Sequence, residues 1–382
     1  MRKIIPSFGA VLVAALTLSG CVGQPDGSPT SPKGTVVSEV VHSRSLEGNL
    51  LNDTPDRAVT IYLPPSYGSG NRRYPVLYLL HGFGSTQAIW GGELSAPGPG
   101  MTLADVPKLM DRLVGSIGFQ EMIVVMPDAS NRFGGSFYTN SVTTGNWEDF
   151  VVHDLVESID GRYRTLRRPE SRGIAGHSMG GHGAFKLAMK HPEVFGSVYA
   201  LSACCLEWDN AWSADNPAWQ RALAVQTVED WKRLRHEVAT GDRKAPEWFP
   251  SFIATTDFAI AAAFSPDPGR PPFFAALPIE TRGGDRGPNG AVEAEWNASL
   301  PIPMLSQYRS NLALLRGIAF DIGNQDFNPH LPVQARDLDR ALTRNAIAHE
   351  FEEYAGTHTD KIAERLRLRV IPFFSRTLKG EG

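Results

Sequence analysis

The chain has 382 residues, 42% hydrophobic and 20% charged, with a formal net charge of −4. That is enough for one sizeable core with a large insertion, and it lacks the basic footprint that a nucleic-acid partner leaves. Its 37 glycines and 28 prolines are spread along the chain, which excludes a collagen-like or wholly disordered polymer.

Residues 1–20 read as an export signal. Arg2 and Lys3 are basic, and residues 4–16 are apolar apart from Pro6, Ser7 and Gly9. That stretch is too short for a comfortable membrane span. Leu18-Ser19-Gly20-Cys21 follows and resembles the lipobox of bacterial lipoproteins. The resemblance implies cleavage before Cys21, a lipid on its sulfur and attachment at the cell envelope; with Val22 next, it implies the outer membrane in a Gram-negative cell. Residues 21–35, rich in Gly, Pro and Ser, predict a flexible tether. Cys204 and Cys205 are neighbours, and a bridge between adjacent residues is strained, so two buried thiols are expected. Three cysteines at this spacing give no metal signature.

The globular pattern begins at residue 36. Residues 36–41 and 58–63 alternate loosely and predict an antiparallel pair at one sheet edge. Residues 75–80 form an apolar run ending at His81-Gly82, and 122–126 another ending at Pro127-Asp128. Residues 173–175, 198–201, 318–322 and 350–354 supply further strands. Runs of this kind suit parallel strands buried on both faces. Helical spacing occupies 103–114, 147–159, 183–189, 333–347 after Pro332, and 361–374, with Pro372 limiting the last. About eight strands alternating with helices predict an α/β fold around a mostly parallel sheet, within one domain spanning 36–382.

From about 204 to 303 the alternation stops. Trp208, Trp212, Trp219, Trp231 and Trp248 fall there, followed by Pro271-Pro272 and the Gly-rich run 283–287. A structureless loop of this length is unusual in a compact domain. The segment is expected to be a mostly helical, Trp-rich cap insertion followed by a loop, lying over the sheet.

Gly176-His177-Ser178-Met179-Gly180, followed by Gly181, sits between a short apolar strand and a helix. That context suits a nucleophile elbow, a strained strand-to-helix turn carrying a reactive serine. Ser178 needs a base, and the base an orienting carboxylate, in the chain order serine, acid, histidine. His358 lies in a loop between the last predicted strand and the last helix, and is preferred over His330 and His349. Asp326 lies just past the carboxyl end of the 318–322 strand, and is preferred over Asp321 inside it. The oxyanion hole is assigned to the N–H groups of Met179 and Phe83, with Gly84 as the alternative to Phe83. Trp208, Trp212 and Tyr138 are candidate substrate contacts; Asp128 and Glu148 are candidates for the pocket floor. The chemistry requires no metal or organic cofactor. The expected partners are a small-molecule or carbohydrate ester and, through Cys21, a membrane.

Leu80-His81-Gly82-Phe83-Gly84, Val125-Met126-Pro127-Asp128, Trp147-Glu148-Asp149-Phe150 and Gly176-His177-Ser178-Met179-Gly180-Gly181 occur in that order. With residues 323–326 and 356–358 they resemble the esterase D-like branch of the α/β-hydrolases. That branch includes feruloyl and acetylxylan esterases, enterochelin esterases, S-formylglutathione hydrolase and the antigen 85 mycolyltransferases. The resemblance implies an α/β-hydrolase fold and a serine carboxylesterase working through an acyl-enzyme on Ser178, acting on feruloyl or acetyl sugar esters or other small acyl esters. An acyltransferase to a sugar or lipid alcohol, and a non-catalytic binding protein on the same fold, are the competing readings. The segment 204–303 is longer than the compact members have between those two strands.

Overall fold

The computed structural model describes residues 32–91, 103–208, 215–283 and 285–381, all within the compact unit Pro32–Gly382. Cys21, the export signal and Trp212 lie outside the described residues.

In chain order the main strands are β1 (Thr35–His42), β2 (Asp56–Leu63), β3 (Val76–Leu80), β4 (Ile123–Pro127), β5 (Arg172–His177), β6 (Ser197–Leu201), β7 (Ile279–Arg282), β8 (Asp285–Pro288), β9 (Gly317–Gly323) and β10 (Glu350–Tyr354). All but β7 and β8 form one eight-stranded sheet in the order β1-β2-β4-β3-β5-β6-β9-β10. β1 and β2 are antiparallel at one edge, as expected, and β4 through β10 run parallel.

The helices are α1 (Val106–Leu113), α2 (147–162), α3 (Met179–Lys190), α4 (Pro217–Leu223), α5 (Val228–Thr240), α6 (Trp248–Phe264), α7 (Gly290–Asn297), α8 (His330–Arg344) and α9 (362–377). They cover both faces of the sheet, and the alternation of side chains along the strands sorts the core into two layers. Val76, Tyr78, Leu80, Ile123 and Val125 pack with Phe150, Leu155, Phe185, Met189 and Leu338 of α2, α3 and α8. Leu77, Leu79, Val124 and Met126 pack on the other side with Met110 of α1 and Leu366, Val370 and Phe374 of α9.

Pro372 does not end α9, which continues to Thr377. The turn before it, Leu366–Val370, is wound as a π-helix, and Pro372 falls in the first turn of the segment that follows, where its missing N–H is tolerated.

The insertion is helical as expected, but its second half is not a plain loop: β7 and β8 pair as a hairpin, and α7 follows. A capping box between Thr227 and Asp230 starts α5. α6 is apolar around nearly its whole circumference, and it is buried to match. It packs against α4 and α5 and against the body, where Phe264 meets the rings of Phe137 and His182 at 5.9 and 5.8 Å. Among the described residues Cys204 and Cys205 form no disulfide; one is half-buried and one buried.

Candidate active site

β5 ends at His177 and α3 begins at Met179, leaving Ser178 alone in the turn with φ 58° and ψ −119°. A side-chain-bearing residue in this region costs about 1–3 kcal/mol, so the surroundings must hold it. The Ser178 N–H donates to Leu201 O at 2.9 Å, and its carbonyl accepts from His182 N–H at 3.0 Å. Three backbones also meet here with no room between them. A β-carbon on Gly176 would lie 2.2 Å from Gly180 O, and one on Gly180 2.3 Å from Leu80 O. The glycines of the motif therefore permit the contact between β3, β5 and α3 that fixes the turn.

The loops after β9 and β10 supply the other two residues. His358 Nδ1 lies 2.6 Å from Asp326 Oδ2. Because a carboxylate only accepts, Nδ1 carries the hydrogen, and the lone pair is left on Nε2. The His358 ring lies 4.6 Å from that of His177, and His177 Nε2–H donates to His358 O at 2.8 Å. His358 is thus bound to the residue preceding Ser178. Burial, and the His358 ring beside it, push the pKa of His177 down to about 3, so it serves as a neutral clamp. Among the described residues Ser178 Oγ and His358 Nε2 make no hydrogen bond with each other; such bonds are often long or misaligned before substrate arrives.

Asp321 faces the opposite layer. It accepts from Tyr199 Oη at 2.8 Å and from Arg365 Nε at 2.9 Å, and burial raises its pKa to about 6. His349 is held by Asp339 at 3.0 Å and stacked on Phe320, while His330 opens α8. The structure therefore brings together Asp326 and His358 and leaves the three alternatives elsewhere.

The loop after β3 lies against the serine: a β-carbon on Gly82 would be 3.2 Å from Ser178 Cβ. Gly84 N–H is spent on Gly134 O at 2.8 Å, which removes it as a donor to substrate. Among the described residues the N–H groups of Phe83 and Met179 donate to nothing. The His81 ring fixes the first of these. Its Nε2 accepts from Ala129 N–H at 2.8 Å, so its Nδ1–H donates to Gly82 O, also at 2.8 Å. In a trans peptide N–H and C=O point opposite ways, so anchoring the Gly82 oxygen turns the Phe83 N–H outward.

Four of the expected contacts have partners within the protein. Tyr138 is fully buried, and its hydroxyl donates to His81 O at 2.9 Å; it braces the loop after β3 and does not line a pocket. Trp208 is half-buried and packs edge-on against Trp296, 6.0 Å between centroids. Asp128 and Glu148 are engaged in ion pairs. Burial opposes their charge, but Arg57 and the Ser130 N–H outweigh it for Asp128, and His191 and Lys190 for Glu148, holding both pKa values down to about 2.

The ring that reaches the dyad belongs to Phe327, which the sequence did not single out. Phe327 meets the His358 ring edge-on at 5.1 Å. Phe252 of α6 lies 5.8 Å from Phe327 and 5.9 Å from Phe83, with Phe249 6.0 Å from Phe327. An aromatic rim thus runs from the loop after β3 to the loop after β9. The available signals were adjacency, since Phe83 follows His81-Gly82 and Phe327 follows Asp326; nothing marked Phe252.

Comparison with known proteins agrees with this architecture. The Putative esterase family model matches residues 54–250, about half of the chain. Esterase Rv1288 of Mycobacterium tuberculosis is 28% identical over 226 residues, covering 52% of this chain and 45% of the relative. The endo-1,4-beta-xylanase/feruloyl esterase of Xylanibacter ruminicola is 32% identical over 152 residues, covering 38% and 19%. The chain thus spans less than half the length of these relatives. A solved ferulic acid esterase superposes with a TM-score of 0.56 at 22% identity, covering 91% of this chain and 99% of that one; the shared architecture is the α/β-hydrolase fold. By the family match and this fold, the chain belongs to that esterase family, within the esterase D-like branch of the α/β-hydrolases.

Proposed function

We propose that the chain is a serine carboxylesterase with Ser178 as nucleophile, His358 as base and Asp326 as the carboxylate that orients it. The observation that carries this reading is the 2.6 Å pairing of His358 with Asp326 on a loop bound to His177, beside the strained Ser178 turn. Ser178 Oγ attacks the ester carbonyl while His358 Nε2 takes its proton, and Asp326 stabilises the imidazolium that forms. The tetrahedral oxyanion is received by the N–H groups of Phe83 and Met179, each worth about 3 kcal/mol. His358 then returns the proton to the departing alcohol, and water repeats the sequence on the acyl-enzyme.

The phenylalanine rim favours an acyl group with a flat, apolar face, since aromatic rings pack offset or edge-on against one another. A feruloyl-type ester fits this description, and the name of the Xylanibacter relative supports the choice. The lipobox-like tetrapeptide around Cys21 supports an exported, lipid-anchored enzyme at the cell envelope.

The test is a fluorophosphonate probe combined with ester hydrolysis. The probe labels wild type and not Ser178→Ala. The ratio of kcat/KM for methyl ferulate over 4-nitrophenyl acetate drops at least ten-fold in Phe252→Ala. Probe labelling of Ser178→Ala equal to wild type would remove Ser178 as nucleophile, and an unchanged ratio would remove the aromatic acyl site while leaving the esterase intact.

A further inference from the structure

The rim of the sheet opposite Ser178 carries a charge pattern at odds with the chain as a whole. Arg72 and Arg73 lead into β3, and Arg164, Arg167 and Arg168 lead into β5. Backbone bonds tie the two segments together: Tyr74 N–H donates to Arg164 O at 2.8 Å, and Leu166 N–H to Tyr74 O at 2.9 Å. Most of these guanidinium groups donate to carbonyls. Arg73 reaches Thr165 O, Arg164 reaches Arg72 O and Tyr67 O, Arg167 reaches Asp160 O, and Arg168 reaches Gly380 O. A carbonyl satisfies a donor without cancelling its charge. Arg72 has Glu121 at 3.7 Å, and Glu381 accepts the Arg73 backbone N–H. Among the described residues, the side chains of Arg73, Arg164, Arg167 and Arg168 have no carboxylate partner. A locally positive rim therefore sits on a chain of net charge −4.

An apolar tip stands next to this patch. Ile117 is fully exposed in the loop between α1 and β4, between Gly115 and Gly118 with φ of 81° and 78°. An open cavity of about 590 Å³ on this rim is lined by Gly115 and Phe119 of the same loop and by Arg72, Glu121 and Pro32. Pro32 is where the described chain begins, and β1 starts on this same rim, since Thr35 pairs with Leu63 and Tyr62 with Val124 near the start of β4. Ten residues separate Cys21 from Pro32, a reach of at most about 35 Å.

We propose that this rim docks on an anionic lipid bilayer. Clustered arginines next to an exposed aliphatic tip form an interfacial binding surface: the charges draw the protein to acidic headgroups, and the tip enters the headgroup layer. A tether attached at Cys21 would keep the surface within reach. Docked this way, the chain presents Ser178 away from the bilayer, toward substrates in the aqueous phase. The inference rests on the charge geometry and is independent of the esterase reading.

The test is sedimentation of the full chain, in a Cys21→Ser background that cannot be lipidated, with phosphatidylcholine vesicles and with vesicles that also contain phosphatidylglycerol. The phosphatidylcholine arm subtracts any headgroup-independent binding by residues 4–16. Binding to the anionic vesicles is expected to exceed binding to the neutral ones and to fall in ~0.5 M NaCl, where the screening length shrinks to a few ångströms. Each arginine is worth roughly five-fold in partitioning, so Arg73→Glu combined with Arg167→Glu and Arg168→Glu weakens it more than ten-fold, with Tm measured alongside because three bonds to carbonyls are also lost. Ile117→Asp, on an exposed loop that cannot upset the core, weakens it several-fold and keeps the test open should the triple variant misfold. Equal binding to both vesicle types, or undiminished binding of both variants, overturns the proposal. So does capture on immobilised heparin without binding to anionic vesicles.

Discussion

Gly323 is pressed against Gly356: a β-carbon at position 323 would lie 2.5 Å from the Gly356 carbonyl oxygen. This is where the loop bearing Asp326 meets the loop bearing His358. The same oxygen accepts from Gln325 N–H at 2.9 Å, and Tyr354 O accepts from Asn324 N–H at 2.9 Å. Gly323→Ala must part the two loops. The expected cost is about 1–3 kcal/mol of stability from overpacking, with kcat down at least ten-fold, because misplacing a catalytic group by a fraction of an ångström to an ångström is expensive. Urea unfolding and steady-state hydrolysis measure the two effects.

Asp326 and Asp321 should separate function from stability. Asp326→Asn leaves the His358 contact sterically intact but favours the wrong tautomer, and kcat should fall by about 10³–10⁴. Asp321→Asn should leave kcat near wild type while costing about 1–3 kcal/mol, since Tyr199 and Arg365 each lose a charged acceptor in the core. Full activity in Asp326→Asn would move the acid elsewhere.

At position 178 two inactive variants should differ in stability. Ser178→Ala and Ser178→Gly both lose the proposed nucleophile, and kcat should fall by about 10⁵ or more. Alanine keeps the strain of φ 58°, whereas glycine adopts that backbone freely. Ser178→Gly should therefore be the more stable of the two, by up to about 1 kcal/mol net of the entropy it adds to the unfolded chain. Calorimetry on the pair decides it.

Acid sensitivity should trace to the neutral histidine clamp. In the folded chain His177 takes a proton only near pH 3, against 6.5 for an exposed histidine. Between those values the unfolded chain binds more protons than the folded one, so stability is full above pH 6.5 and withdrawn on acidification toward 3. Buried His182, whose pKa is also depressed by its burial, acts in the same direction. Denaturant midpoints should fall from pH 7 to pH 4.5, and His177→Gln should flatten that slope.

The strands of the main sheet were legible because burial on both faces makes each a short apolar run, and the pairing of Asp326 with His358 was legible because Asp326 stands past the end of its strand and Asp321 within it. The hairpin of β7 and β8 was not, because Ile279-Glu280-Thr281-Arg282 and Asp285-Arg286-Gly287-Pro288 show no alternation. Trp219 and Trp296 are fully buried, so these two rings fill the insertion, which composition alone did not distinguish from a substrate wall. The rim formed by Phe83, Phe252 and Phe327 exists only once three distant segments converge, and no spacing announces that. The π-wound turn in α9, which lets the helix run through Pro372, likewise depends on packing.

The insertion shares its interior with the body. Phe258 and Phe264 of α6 belong to the same continuous cluster as Phe133, Phe137 and the strands of the sheet. It is therefore masonry, and a hinged door would be the wrong image. Excising residues 204–303 would bare Phe133, Phe137 and His182 to water, so a shortened chain would be expected to clump where a trimmed enzyme was wanted. Variation in substrate preference would then have to arise by exchanging single rings along α6, with the helix itself kept in place.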